Sequence, residues 1–153
     1  MILKNNLKKE LFNQCQNFVD NRLIAIQKAI DEIQESLASE TKSSAGDKHE
    51  TGRAMLQLER EKAGHQLAEI QKLNQLLSKI DLSKTSKTIA LGSLVFTTRA
   101  NYFITLSAGE MKACNQSFYA ISANTPIAKI LLGKEAKTKI QFRNQEFEII
   151  KVI

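Results

Sequence analysis

Two carboxylates, Asp47 and Glu50, stand three positions apart in the stretch Gly46-Asp47-Lys48-His49-Glu50. Side chains at that spacing share one face of a helix, so both could be turned toward a common target. The same spacing also marks a helix start, with Asp47 as N-cap and Glu50 at the third helical position. The two readings are compatible, because one carboxylate can cap while the other points outward. Elsewhere the chain holds no Ser/His/Asp array, no Gly-rich phosphate loop and no dinucleotide fingerprint. Cys15 and Cys114 are far apart and lack a CxxC spacing or companion histidines. A zinc site or a disulfide framework is therefore not expected, and reduced, mostly buried thiols are.

The elements that must carry the two carboxylates are long helices. From Phe12 the apolar positions run Phe12, Val19, Leu23, Ile26, Ile30, Ile33 and Leu37, a heptad seam with Gln16 filling the gap. No Pro or Gly occurs from Met1 to Ala45. After a break from about Ser39 to Asp47, the seam resumes at Leu56, Ala63, Leu67, Ile70 and Leu77, widened by Leu73 and Ile80. Gly52 and Gly64 weaken the second helix locally, by about 1 kcal/mol each relative to Ala. A short connection between two heptad segments implies an antiparallel pair. Helices of about 28 residues are about 42 Å long. Such a pair has no room for an enclosed pocket; it provides reach for residues 40–53.

Near Asp81 the pattern ends. "DLSKTSKT" is polar and reads as a linker. Runs rich in Val, Ile, Phe, Tyr and Thr follow: Ile89 to Thr97, Asn101 to Ser107, Gln116 to Ile121, Lys139 to Phe142 and Glu146 to Val152. Asn144-Gln145 is the expected two-residue turn of the last hairpin. One helix interrupts the strands in "NTPIAKILLGKE": Thr125 caps it, Pro126 is its first residue, Gly133 ends it, and Ile127, Ile130 and Leu131 pack on the sheet. The expectation is an α+β protein, with an antiparallel coiled-coil arm over 1–82 and a small sheet domain over 83–153.

The net charge of +6 is unevenly placed. Residues 1–82 hold 12 Lys/Arg and 12 Asp/Glu, whereas residues 83–153 hold 10 and 4, so the whole excess lies in the second part. A basic end suits an acidic partner surface, either nucleic acid or an acidic protein patch, or simply solubility. "MILKNNLKKELFNQ" has no long apolar run ahead of its charges, so no signal peptide is expected. No stretch reaches the roughly 18 apolar residues of a membrane span, and a cytoplasmic protein without membrane contact is expected.

Two stretches resemble a known family. "SANTPIAKILLGKEAKTKIQFRNQEFEIIKV", Ser122 to Val152, resembles the C-terminal domain of the bacterial Gre transcript-cleavage factors. That domain carries S-P-[IL]-[AG]-x-x-[LI]-[LI]-G-K and a final hairpin ending E-Y-E-I-x-x-[VI]. The Gre tip motif G-D-x-S-E-N is matched by Gly46, Asp47 and Glu50, with His49 and Thr51 where the family has Ser and Asn. The resemblance implies a coiled-coil arm joined to an FKBP-like domain. It implies docking of that domain at the rim of the RNA polymerase secondary channel, with the arm inserted. Polymerase and the nascent RNA 3′ end are the implied partners, and a monomer is expected.

By the same resemblance, Asp47 and Glu50 assist the polymerase's own hydrolysis of backtracked RNA. They would help hold a shared Mg²⁺ in the polymerase active centre and orient a water, with no cofactor of the chain's own and no catalysis alone. Mg²⁺ prefers oxygen ligands and keeps several waters, so one or two carboxylates can complete its shell. Lys42, Lys48 and Arg53 are candidate contacts to RNA or polymerase, and His49 and His65 are expected to be solvated. Lys129 and Lys134, with Lys137 and Lys139, could steer the domain to an acidic rim. The altered tip neighbours leave a second reading open, a Gre-like channel-binding inhibitor without cleavage stimulation. A prolyl isomerase would need an aromatic-lined pocket, and the chain has no Trp and only Tyr102 and Tyr119 as tyrosines. A coiled coil that only dimerises would not need the separate basic end.

Overall fold

The computed structural model describes residues 2–42 and 46–153, with side chains for residues 6–40 and 51–153. Helices α1 (Ile2–Lys42) and α2 (Gly46–Ser78) form a long N-terminal hairpin. A small mixed sheet follows, with strands β1 (Leu94–Thr97), β2 (Asn101–Thr105), β3 (Gly109–Ala113), β4 (Gln116–Ser122), β5 (Lys139–Phe142) and β6 (Gln145–Val152). Helix α3 (Pro126–Leu131) lies between β4 and β5 in sequence. The chain divides into two compact units: Val19–Asn74, and the residues up to Phe18 together with Gln75–Ile153. No helix among the described residues is long and apolar enough to cross a membrane.

The Val19–Asn74 unit is a helix pair closed by one apolar seam. Val19, Ile26 and Ile30 of α1 are buried, as are Ala63 and Ile70 of α2. The pair is antiparallel: Arg22 and Ile26 share a groove with Ile70 and Leu73, Ile33 and Ser36 share one with Leu56 and Glu59, and Glu40 lies against Gly52. Leu23, Ile33 and Leu67 stay half-buried, because two helices cannot cover the flanks of their own seam.

In the other unit the strand order is β3-β4-β2-β1-β6-β5. Strands β2 and β4 run parallel, with Tyr102 beside Tyr119, and the other pairs are antiparallel. Alternation gives the sheet two apolar faces. On one, Val95, Tyr102, Ile104, Ile140, Phe147 and Ile149 form a core with Ile89 and with Ala128 and Leu131 of α3. The opposite face, with Phe103, Thr105, Met111 and Phe118, is covered by the start of α1. There the Cys15 thiol lies 3.6 Å from the Thr105 hydroxyl and 3.8 Å from Met111 Sδ, and Gln14 Nε2 donates to the Lys112 carbonyl at 3.0 Å. Leu11, one turn earlier, is fully buried. The buried positions on this part of α1 are thus Lys8, Leu11, Cys15 and Val19, while Phe12, where the heptad seam was expected to begin, is half-buried.

Four local expectations shift. Strand β3 was not expected, because "GEMKA" holds no β-branched or aromatic residue; its five-residue register with β4 makes it a strand. The strand expected from Ile89 begins only at Leu94. Gly92 turns the chain first, at φ 88°, and its missing Cβ leaves room for Ile80, whose Cγ2 lies 3.0 Å from where that atom would stand. The last hairpin turns at Arg143-Asn144 rather than Asn144-Gln145, since Phe142 pairs with Gln145 and both loop residues have positive φ (50° and 64°). That is the type I′ geometry, repeated at Cys114-Asn115 (51° and 60°). Cys114, expected to be buried, is therefore exposed at a turn; Cys15 is buried, and burial raises its thiol pKa.

Lys8 is 3% exposed, and burial lowers its ammonium pKa. Between the lowered folded value and the ordinary lysine value the unfolded chain binds the extra proton, so this group makes stability rise with pH through that window. Lys8→Met keeps the stem and removes the charge. It is expected to stabilise the chain at neutral pH by about 1 kcal/mol and to abolish the alkaline rise. Urea unfolding across alkaline pH measures both; a destabilised Lys8→Met with an unchanged pH profile would show that the ammonium makes a favourable contact.

Candidate functional site at the hairpin tip

The tip is built by the end of α1 and the start of α2. Helix α2 begins at Gly46, one residue before Asp47. Asp47 thus lies in the first helical turn rather than at the expected N-cap position, where a carboxylate still complements the positive end of the helix dipole. Asp47 and Glu50 are three apart on continuous helical backbone, which puts both positions on about the same side of α2. Their side chains, and those of Lys42, Lys48 and His49, lie outside the described residues. Of the remaining expected tip contacts, Arg53 is described and is exposed.

One carboxylate that sequence reasoning did not single out stands across the pair. Glu40, half-buried on α1, has Oε1 3.6 Å from where a Cβ at Gly52 would be. The signal for it was available: once antiparallel pairing is accepted, residues equally far from the tip on the two helices face each other. Gly52 is not demanded by this contact, because 3.6 Å is an ordinary van der Waals distance.

The charged groups of the second unit are placed by α3. Thr125 has an extended backbone (φ −70°, ψ 150°), and its hydroxyl accepts the Ala128 N–H at 3.3 Å. Pro126 is the first helical residue, and Gly133 follows the C-cap Leu132 at φ 81°. Ala128 and Leu131 face the sheet, with Ile127 and Ile130 partly buried beside them, and Lys129 is turned to solvent. Lys134 is exposed just past Gly133. Lys129 on α3 and Lys134 just after it both belong to a different unit from Arg53.

A groove of about 600 Å³ opens on the flank of the helix pair, lined by Arg22, Ala25, Ile26, His65, Gln66 and Ile70 among others. It is shallow and mostly apolar, and it lies nearer the Val19 and Asn74 ends of the pair than the tip. Its charged lining is Arg22 and Glu69, with His65 beside them, and it brings no carboxylate pair together. No group of three or more potential metal ligands occurs among the described residues.

No family model matches the chain, and no curated protein matches it. Among solved structures, that of the transcription factor Gfh1 is similar at 15% identity, with 92% of this chain and 92% of that chain covered and a TM-score of 0.33. A likeness that loose carries nothing about activity.

Gly52→Ala removes a helix-interior glycine next to the tip without a steric conflict. It is expected to stabilise the helix pair by about 0.5–1 kcal/mol, read as a higher denaturation midpoint by circular dichroism. A lower midpoint would mean that Glu40 and Gly52 are packed more closely than an alanine tolerates.

Proposed function

We propose that this chain is a Gre-like transcription elongation factor. It enters the secondary channel of RNA polymerase and stimulates the polymerase's own cleavage of backtracked RNA. The observation that carries the reading is the pairing of two sequence signatures with matching elements. Gly46-Asp47-x-x-Glu50 opens the second helix of an antiparallel pair, and Thr125-Pro126 through Gly133 is a helix capped at both ends beside a six-stranded sheet. From Val19 to Lys42 helix α1 alone runs roughly 36 Å, enough to carry a tip into a narrow channel.

In this reading Asp47 and Glu50 supply oxygen ligands for a Mg²⁺ in the polymerase active centre and orient the attacking water. The residues suit such a metal, since carboxylates are hard donors. Two of them fall well short of a full shell, so the polymerase, its own metal and waters supply the rest. The chain would therefore catalyse nothing alone. Lys42, Lys48 and Arg53 would approach the RNA or the channel wall. The second reading, a channel-binding inhibitor, is favoured by His49 and Thr51, which replace the family's Ser and Asn beside Glu50.

The test is transcript cleavage by a backtracked cognate polymerase with labelled RNA and Mg²⁺. Native protein is expected to accelerate cleavage, and Asp47→Asn/Glu50→Gln to lose on the order of 10- to 100-fold of that effect, as for groups that support a metal site. No acceleration, with competition against a cleavage factor for the channel, would favour the inhibitor. Neither acceleration nor competition would overturn both readings.

A further inference from the structure

Two exposed runs of the sheet-bearing unit meet at Ile89. Ile89 donates its N–H to the Lys134 carbonyl at 2.9 Å and accepts the Gly133 N–H at 2.8 Å. This reciprocal pair joins the end of Ser83–Thr88, "SKTSKT", to the start of Gly133–Lys137, "GKEAK", and every residue of both runs is exposed. Together they carry Lys84, Lys87, Lys134 and Lys137 against one carboxylate, Glu135. Lys129 adds a fifth ammonium, one helical turn before Gly133. The acid that precedes the first run, Asp81, is engaged locally: it accepts the Ser83 N–H at 3.0 Å and the Ser83 hydroxyl at 2.5 Å. Lys137 is fixed at the border, with φ 71° and its N–H on the Ile149 carbonyl at 2.6 Å. None of the five ammonium groups makes a hydrogen bond or ion pair with another described residue, although the charge of Lys84 is near enough to help lower the Asp81 carboxyl pKa after the Ser83 bonds.

The chemistry between the lysines narrows the partner. Ser83, Thr85, Ser86 and Thr88 place hydroxyls among the ammonium groups, and neither run holds a large apolar or aromatic side chain. Protein interfaces are anchored by aromatics and arginine and are poor in lysine. Phosphodiester backbones are held by lysine, hydroxyls and main-chain N–H groups. With no aromatic to stack a base and no Arg, Asn or Gln to read a base edge, such a surface would position a strand without reading it.

We propose that Lys84, Lys87, Lys129, Lys134 and Lys137, with the interleaved hydroxyls, form a sequence-independent binding surface for the phosphate backbone of a nucleic acid. This goes beyond the polymerase-channel reading and does not depend on it, because it is tested on the free chain.

The measurement is fluorescence anisotropy of a labelled random-sequence DNA duplex titrated with the full chain at several salt concentrations. Four or five phosphate contacts are expected to cost roughly a hundredfold or more in affinity between about 50 and 200 mM salt. Lys84→Gln and Lys134→Gln singly are each expected to lower the salt slope by about one. The variant with Lys84, Lys87, Lys134 and Lys137 all changed to Gln is expected to lose most binding. Changing Lys9, Lys28, Lys62 and Lys112 to Gln removes the same charge elsewhere and is expected to leave binding nearly intact. Equal loss in the two quadruple variants would reduce the effect to net charge and overturn the proposal. So would no binding at low salt, or tighter binding of an acidic polypeptide than of the duplex.

Discussion

A six-stranded sheet with two apolar faces must be covered twice, and the chain has only one short helix beside its strands with which to do it. Helix α3 closes the face that carries Ile104, Phe147 and Ile149. The other face would leave Phe103, Phe118 and Met111 open to water, at a cost of roughly 1.5–3 kcal/mol for each such side chain. The first turns of α1 remove that exposure through Leu11 and Cys15. The Cys15–Thr105 contact joins residues 90 positions apart. The beginning of the chain is therefore part of the sheet-bearing unit, and a boundary drawn where the heptads end would strip one layer from its core. Non-local closure of this kind is slow to form, because loop entropy is lost before the contacts reward it.

The same arrangement accounts for what could be read from the sequence and what could not. The seam from Val19 to Ile30, and its return through Ala63 and Ile70, follow from spacing because a helix packed on a helix imposes its own period. Below Val19 the partner is a sheet, and the buried stripe becomes Lys8, Leu11 and Cys15. A lysine and a cysteine give no apolar signal, and periodicity does not reveal what a helix packs against. Thr125, Pro126 and Gly133 were legible because capping is chemistry local to a few residues. Strand β3 was not, since "GEMKA" is a strand only by pairing with β4. The last turn was displaced by one residue because Arg143 adopts a left-handed backbone that its side chain does not advertise.

The candidate site is residue types at a spacing, and the structure describes the helical backbone that carries them. A pair of helices encloses nothing: its flanks are shallow grooves and its seam is apolar. Function on such a frame must lie along its surface or at its end. At the end, the positive pole of α2 meets Asp47 in the first turn. Glu40 approaches from the other helix at a position held by glycine. Single carboxylates are weak ligands in water, where Mg²⁺ gives up its own waters reluctantly. They become useful when a partner contributes further oxygens and a second charge.

Charge differs between the two units. Val19–Asn74 holds 8 Lys/Arg and 10 Asp/Glu, and the sheet-bearing unit holds 14 and 6, so the whole positive excess lies in the sheet-bearing unit. The lysines after residue 82 are not balanced, and five of them gather where two exposed runs are tied by the Ile89 bonds. Like charges so placed repel one another, and screening at physiological salt acts over about 8 Å, which leaves near neighbours coupled. A fold that needed only solubility could interleave acids, as the helix pair does with Glu59, Glu61 and Glu69 among its cations. The β5–β6 hairpin does the same, setting Lys139 opposite Glu148. Where interleaving stops and hydroxyls take the place of carboxylates, the surface is built to meet an anion from outside the chain.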